Sequence, residues 1–599
     1  MNNKLEHWKT LFEDAKAKRS SLDEKAKRRR ELYDGTSRVK NRKTGAYADK
    51  PAYTYKNICF ELVETQINNA IPQPKVTPRD PGKTDLASML EGYLKMEMER
   101  LDAETINDEA ERDVLIEGST WYLIGWDNTK STPISEGELF IKHLPFECVY
   151  PQPGVTDYKK LEYIFIEELV SVKEIKKLYN VTIPEGSKYK GMNTMITVYY
   201  YNEDGFMSRF AWIYDSDTIV FDEDYYELRK VKKCRRCGAD FGDNDVCQEC
   251  EYTGYIYDTL EEEVAPEDIV TWQEGGEPQV LVKAGEKLPY YKIKALPLVL
   301  RRNISKNNSL YGVSDIDLLE QDQESLNKLH TKMEENVMKG GSFITVPSNV
   351  NVPNTDETLK IIKIKDPTAI KSFSVQNVQA SVQQEDILQD RFYQFGRSSL
   401  GITDAYQGKR DPTAESGKAK EISAAQSSGR LESKRRMKDA AYADIYELMF
   451  KFLLAYCDER RTYSKQNPDG SVSEGYFSRY AYIDGVPGAV YYNDRFLFDV
   501  DTASVLSTNR EAMWKETTGN LQAGTFGNPA DPNTLMLYWN IMRELNYPLA
   551  KTALDSLAQR SQQLPFELQQ AIMQNPEILQ KVQQEAMGGG EQQNVSNKE

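Results

Sequence analysis

SLYGVSDIDLLEQDQESLNKLHTKMEENVMKG, residues 309 to 340, is the stretch on which the reading of the fold turns. Ser314 is a favoured helix N-cap, and Asp317 three residues on completes a capping-box pattern. Asp315 and Asp317 suit the positive end of a helix dipole and Lys339 the negative end, and Gly340-Gly341 supplies a left-handed stop. Between these signals Ile316, Leu319, Leu326, Leu329, Met333 and Val337 recur at helical spacing as one narrow apolar seam, and the rest is charged or amide-bearing. About 26 residues at ~1.5 Å rise make a rod of roughly 39 Å. A single seam on so polar a rod predicts lateral packing against like helices rather than burial in a globular core. The competing reading is an ordinary surface helix of a large domain.

A chain of 599 residues has length for several domains. Its mean hydropathy of −0.64 marks an unusually polar, soluble chain with much surface in water. No apolar run approaches the ~20 residues that span a bilayer, and MNNKLEHWKT is no secretory signal. The expectation is a protein made in the cytoplasm, with no membrane partner. A net charge of −17 argues against a dedicated tight binder of duplex DNA, yet leaves room for a surface past which DNA slides without sticking. Of the seven cysteines, Cys59, Cys148 and Cys457 stand alone and read as small core residues.

Residues 4 to 33 form a charged helix in which acids interleave with Lys16, Lys18, Arg19, Lys25, Lys27, Arg28, Arg29 and Arg30. That pattern predicts a solvated face, with a nucleic-acid-binding arm as the alternative. A second helix is expected over 56–71 and two more over 84–117. The buried-looking strand TWYLIGW (120–126) follows, entered through Gly118. Strands at 138–142 and 162–167, a helix at 171–179, and a hairpin of 196–201 with 206–214 around Glu203-Asp204-Gly205 complete a mixed α and β first third. Beyond Gly341 come short strands at 342–346, 360–364 and 371–375, a polar helix at about 382–398, a loop at 401–417 and a long helix at about 415–457. Small residues (Ala419, Ser423, Ala424, Ala425, Ser427, Ser428, Gly429) fill the first half of that helix. Met437, Ala441, Ile445, Leu448, Phe452 and Tyr456 line one face of its second half. Thr508 with Glu511, and Asp531-Pro532, open further helices, with others at 547–562 and 564–586 and a disordered tail after 587.

KKCRRCGADFGDNDVCQECEYTG places Cys234, Cys237, Cys247 and Cys250 as C-x2-C-x9-C-x2-C. Two thiolate pairs at this spacing can close a tetrahedral shell around zinc, and Gly238 eases the first tight turn. Four cysteines leave no open coordination position, so the expected role is one structural Zn2+ per chain in a small ribbon inserted at 230–255; redox chemistry is the minor alternative. GKT at 82–84 is a chance match to a phosphate loop, since Thr77 stands where a glycine is required. His7, His143 and His330 fall in no triad or metal pattern. No catalytic residue is expected.

In PLVLRRNISKNNSLYGVSDIDLLEQDQESLNKL (297–329) and ESGKAKEISAAQ (415–426) the sequence resembles a tailed-bacteriophage portal protein. YKNICFELVETQINNAIPQPKVTPRD (55–80) and ERDVLIEGSTWYLIGWD (111–127) are similar to the opening of a portal wing. The tetracysteine element departs from the basic portal plan. The resemblance implies an α+β, multi-domain subunit. Its parts would be a mixed wing (1–308), a helical stem (309–340), a small β-containing clip (341–381), a second stem helix (382–400) and a tunnel loop (401–417). A tunnel helix with remaining wing (418–520) and a helical crown (521–586) would follow, with the tail at 587–599. It implies a homo-oligomeric ring, typically a dodecamer, at one capsid vertex of the virion, assembled in the host bacterial cytoplasm. Its implied partners are the terminase large subunit, major capsid and scaffolding proteins, head-tail connector (adaptor) proteins, and double-stranded DNA passing through the channel. Lys409 and Arg410 in the tunnel loop are then the residues expected to meet the DNA backbone, an ordinary surface turn being the alternative. A zinc-ribbon nucleic-acid-processing or DNA-binding phage protein is the other functional reading. It lacks a nucleotide loop or an acidic metal motif.

Overall fold

The computed structural model describes residues 2–36, 56–345, 374–402, 417–500 and 510–557, less short internal stretches. It divides into two compact units, one of residues 1–463 with 475–500, the other of 464–474 with 501–599.

The first unit opens with α1 (Asn2–Tyr33), a short α2 (Ile58–Glu64), strand β1 (Pro74–Pro78), and helices α3 (Thr84–Arg100) and α4 (Ala103–Glu117). Gly118 ends α4 at φ +83° and turns the chain into β2 (Ser119–Asp127). A Cβ there would lie 2.7 Å from the Gly312 carbonyl, so both the conformation and the close approach require glycine. β2 pairs antiparallel with β3 (Glu138–Leu144). Strands β4 (Val149–Pro151) and β5 (Tyr163–Ser171), helix α5 (Val172–Tyr179), and strands β6 (Met192–Tyr201), β7 (Met207–Ile213) and β8 (Ile219–Glu223) follow, the strands forming a five-stranded meander in sequence order. The β6–β7 turn is the expected one: Gly205 has φ +76°, and Asn202 Oδ1 accepts from the Asp204 and Phe206 amides at 3.1 and 2.9 Å.

β9 (Lys230–Cys234) and β10 (Tyr255–Thr259) form a separate antiparallel pair. Two more short ladders pair β11 (Glu262–Val264) with β14 (Lys287–Pro289) and β12 (Ile269–Thr271) with β13 (Gln279–Val282). β15 (Leu298–Arg302) then returns to the free edge of β2, giving the order β15-β2-β3. Next come α6 (Asp315–Lys339), β16 (Gly341–Thr345), β17 (Ser374–Val378), α7 (Gln383–Leu400) and α8 (Gly417–Tyr456), and the strand Phe496–Val500 closes the unit against β1.

Three expectations change on contact with the fold. α1 has the expected solvated face, but it also has a buried apolar one. Leu5, Trp8, Phe12 and Ala15 are buried against Tyr150, Phe165, Val198 and Trp212 of the five-stranded sheet, Phe12 meeting Tyr150 and Phe165 edge-on at 5.2 and 5.4 Å. α8 is not one-faced either: Ala441, Tyr442, Ile445, Tyr446, Leu448, Met449, Phe450, Phe452, Leu453 and Leu454 are all buried, because this half lies in the main core with sheets on more than one side.

α6, lastly, gives the first half of its seam to its own chain. Ile316 and Leu319 are buried against Cys59, Leu62 and Val63 of α2 and Leu115 and Ile116 of α4, and Leu326 meets Ile58 and Tyr393. Gly396 of α7 allows close approach, since a Cβ there would sit 3.1 Å from Leu319. Ser314 caps the helix as expected, its hydroxyl accepting from the Ile316 amide at 3.0 Å. Asp317 is drawn instead to Arg29 of α1, which grips both its oxygens at 2.7 and 2.6 Å.

In the second unit, helices Arg510–Gln522 and Pro532–Glu544 pack through Trp514, Leu521, Tyr538 and Met542, with Pro532 at the expected start. Thr508, Asp531, the strand expected at 360–364, most of the helices expected after 547, and the tail lie outside the described residues.

Candidate functional site

The β9–β10 pair sets Cys234 opposite Tyr255, and each end of this small element folds into the same knuckle. In the first, the Cys234 amide donates to the Ala239 carbonyl at 2.8 Å and the Gly238 amide to the Cys234 carbonyl at 2.9 Å. In the second, the Cys247 amide donates to the Tyr252 carbonyl at 3.0 Å and the Glu251 amide to the Cys247 carbonyl at 2.9 Å. The offsets are identical. Both knuckles need a left-handed residue after their second cysteine, and Gly238 (φ +75°) and Glu251 (φ +54°) provide it.

The result brings four thiols together. Cys234 Sγ and Cys250 Sγ lie 3.4 Å apart, Cys237 Sγ and Cys247 Sγ 3.6 Å, and all four within 4.8 Å of one another. These separations are far beyond the ~2.05 Å of a disulfide. They match the roughly 3.8 Å between sulfurs held at ~2.3 Å around a tetrahedral zinc. The Cys234 thiol is raised by its packing, but the Cys237 and Arg236 amides and the neighbouring thiols outweigh this and bring it down to about 6. Arg236 N donates to it at 3.4 Å. The residues present therefore fit a closed, structural four-thiolate metal site. Among the described residues this is the group placed to hold a metal ion.

A second concentration of chemistry lies where α1, α4, α6 and α8 converge. Glu111 of α4 receives Arg301 Nη2 and Lys438 Nζ, each at 2.6 Å. Burial pushes its carboxyl up, but the two cations overcome this and hold it below the usual range. Burial also brings the Lys438 ammonium down to about 8 against the pull of Glu111. Asp315, fully buried at the start of α6, accepts from Lys434 Nζ at 2.6 Å, Asn303 Nδ2 at 2.7 Å and Gln66 Nε2 at 2.9 Å. Glu117 lies between Arg29 and Arg30, and burial lifts its carboxyl to about 7 in spite of both cations. Sequence reading missed this network. Its faint signals were an arginine at the end of the apolar run PLVLRR and two lysines, Lys434 and Lys438, one turn apart.

Lys409 and Arg410 lie outside the described residues. Cys59 and Cys457 are fully buried as expected, and Cys148 is half-buried. His143 meets Thr120 Oγ1 at 2.8 Å and Asp113 at 3.2 Å through the same nitrogen, Nε2, which cannot act as a relay between them. Among the described residues, no helix is long and apolar enough to cross a membrane. No curated protein matches the chain. The family model described as Phage P22-like portal protein matches residues 11–598, taking in both units almost end to end, and the chain belongs to that family of phage portal proteins.

Proposed function

We propose that the protein forms a closed ring at one vertex of the capsid, through which DNA is packaged and later ejected, and on which the terminase and then the head-tail connectors dock. The single observation that carries this reading is the family match over residues 11–598. Membership implies a structural, ring-forming component of the virion. The local arrangement supports the finer assignment: α6 runs into β16, β17 leads back into α7, and β16 and β17 pair antiparallel from Gly341↔Val378 to Thr345↔Ser374. A helix pair bracketing a β-based excursion is what a stem carrying a clip requires. In this reading α6 and α7 are the stem, 341–381 the clip that meets the motor, α8 the tunnel helix, and residues 521–586 the crown. The tetracysteine element carries one structural Zn2+ and stiffens the wing.

Electron microscopy of the purified protein is the decisive test. Rings with a central channel are expected; monomers alone at micromolar concentration, across a range of salt, would refute the reading. Within such rings, Lys409 and Arg410 are proposed to meet the DNA backbone through weak, salt-sensitive contacts that DNA leaves as readily as it enters. Lys409→Ala combined with Arg410→Ala is expected to leave rings intact but alter packaging rate or DNA retention with the cognate motor. Unchanged rate, packaged length and leakage would remove both residues from the channel.

A further inference from the structure

A recess of about 70 Å³ opens in the first unit between α4, β15 and α8. Arg301, Arg302, Lys434, Arg435 and Lys438 line it, against the single carboxylate of Glu111. Glu111 is already occupied by Arg301 and Lys438, and Lys434 is bound by Asp315 behind the wall. Arg302 and Arg435, both half-buried, make no hydrogen bond or ion pair among the described residues. At longer range Arg435 feels Asp439 on its own helix, and Arg302 the Tyr158 phenol. With Asp315 and Asp439 counted, five cations face three carboxylates, an excess of two positive charges in a chain whose net charge is −17.

Arg301 is 4% exposed; its Nη2 is taken by Glu111, and its remaining donors are enclosed beside the Tyr122 phenol, so it contributes charge to the recess rather than free donors. A planar guanidinium fork matches the edge of a phosphate, and the half-buried Arg302 and Arg435 bring two such groups to the recess wall. The recess has roughly half the ~150 Å³ of a cavity that admits benzene, which suits one tetrahedral oxyanion and leaves no room for a base or sugar ring. We propose that this recess is an oxyanion site that takes one phosphate group, supplied either as free phosphate or by a nucleic-acid backbone. Filling it would tie α8 to β15 and α4 through a shared counter-ion.

Full-length protein is titrated with inorganic phosphate by calorimetry and by thermal melting, at constant ionic strength with chloride as the balancing anion. Saturable binding of one phosphate per chain is expected, with a rise in melting temperature. Arg302→Gln with Arg435→Gln is expected to weaken binding at least tenfold, whereas Arg436→Gln, exposed on the same helix, leaves it unchanged. A short DNA duplex that displaces phosphate identifies the backbone as the source; one that does not identifies free phosphate. Absence of saturable binding, acetate binding as tightly as phosphate, or equal affinity in the double variant would overturn the site.

Discussion

Cys247 and Glu111 are the residues on which the two clusters depend most. Cys247 is buried and starts the second knuckle, so Cys247→Ser removes a thiolate and leaves three ligands. Because structural zinc sites carry apparent affinities of roughly 10–16 kcal/mol, losing the metal outweighs anything the short β9–β10 pair supplies. With the proposed zinc bound in the native protein, elemental analysis of this variant is expected to fall well below one zinc per chain, and hydrogen exchange to rise over residues 230–255 alone. Glu111 differs in kind, since two cations converge on it. Glu111→Gln would leave Arg301 and Lys438 facing each other, at a cost of about 3–5 kcal/mol, part of it relieved as Lys438 sheds its proton. The same carboxylate confers a pH dependence. Its folded-state value lies below the ordinary 4.5, so its contribution is fully present above that pH and is lost as pH falls through the folded value. Urea melts on the acid side of pH 4.5 are expected to show a loss of stability in the native protein that is smaller in Glu111→Gln.

α1 binds to two different neighbours along its length. Its first half is an aromatic wedge on the five-stranded sheet, while in its second half Arg28 reaches Glu320 and Glu324, and Arg29 reaches Asp317 of α6. Apolar burial sets the strength of the first contact, and charge pairing sets the direction of the second. Phe12 is 1% exposed. Phe12→Ala is therefore expected to cost about 3–5 kcal/mol of local stability and to release the start of α1. Rapid hydrogen exchange over residues 2–20, with α6 still protected, is the signature. Exchange spreading equally through α6 would show that the two contacts are not separable.

The main core cluster draws on residues from Val76 to Val500, and a separate cluster serves the helices after 510. A chain ended after Val500 is accordingly expected to keep the main cooperative transition, with its midpoint displaced by no more than about 4 °C, the scale of a 1 kcal/mol change in a large domain. Calorimetry of the shortened chain checks this; loss of the transition would show that residues after 500 support the first unit.

By itself the sequence determined what near neighbours decide. The Ser314 cap, the β6–β7 hairpin and the two cysteine knuckles each depend on groups within a few residues, and each stands where its pattern places it; the Gly118 turn is local too, but the distant Gly312 carbonyl also demands glycine there. The order of the long helices was legible for the same reason, whereas the short strands at 262–289 and 461–500 carried no pattern that was read. Only the tertiary structure decided which charges are buried. Arg301 finds Glu111 across 190 positions and Lys438 finds it across 327. At that range no spacing rule applies, and a lysine destined for the core is written like one destined for water. The same limit hid the apolar wedge of α1 among its charges and gave the first half of the α6 seam to its own chain. A periodic pattern tells that a face is buried, but the choice of what covers it belongs to packing.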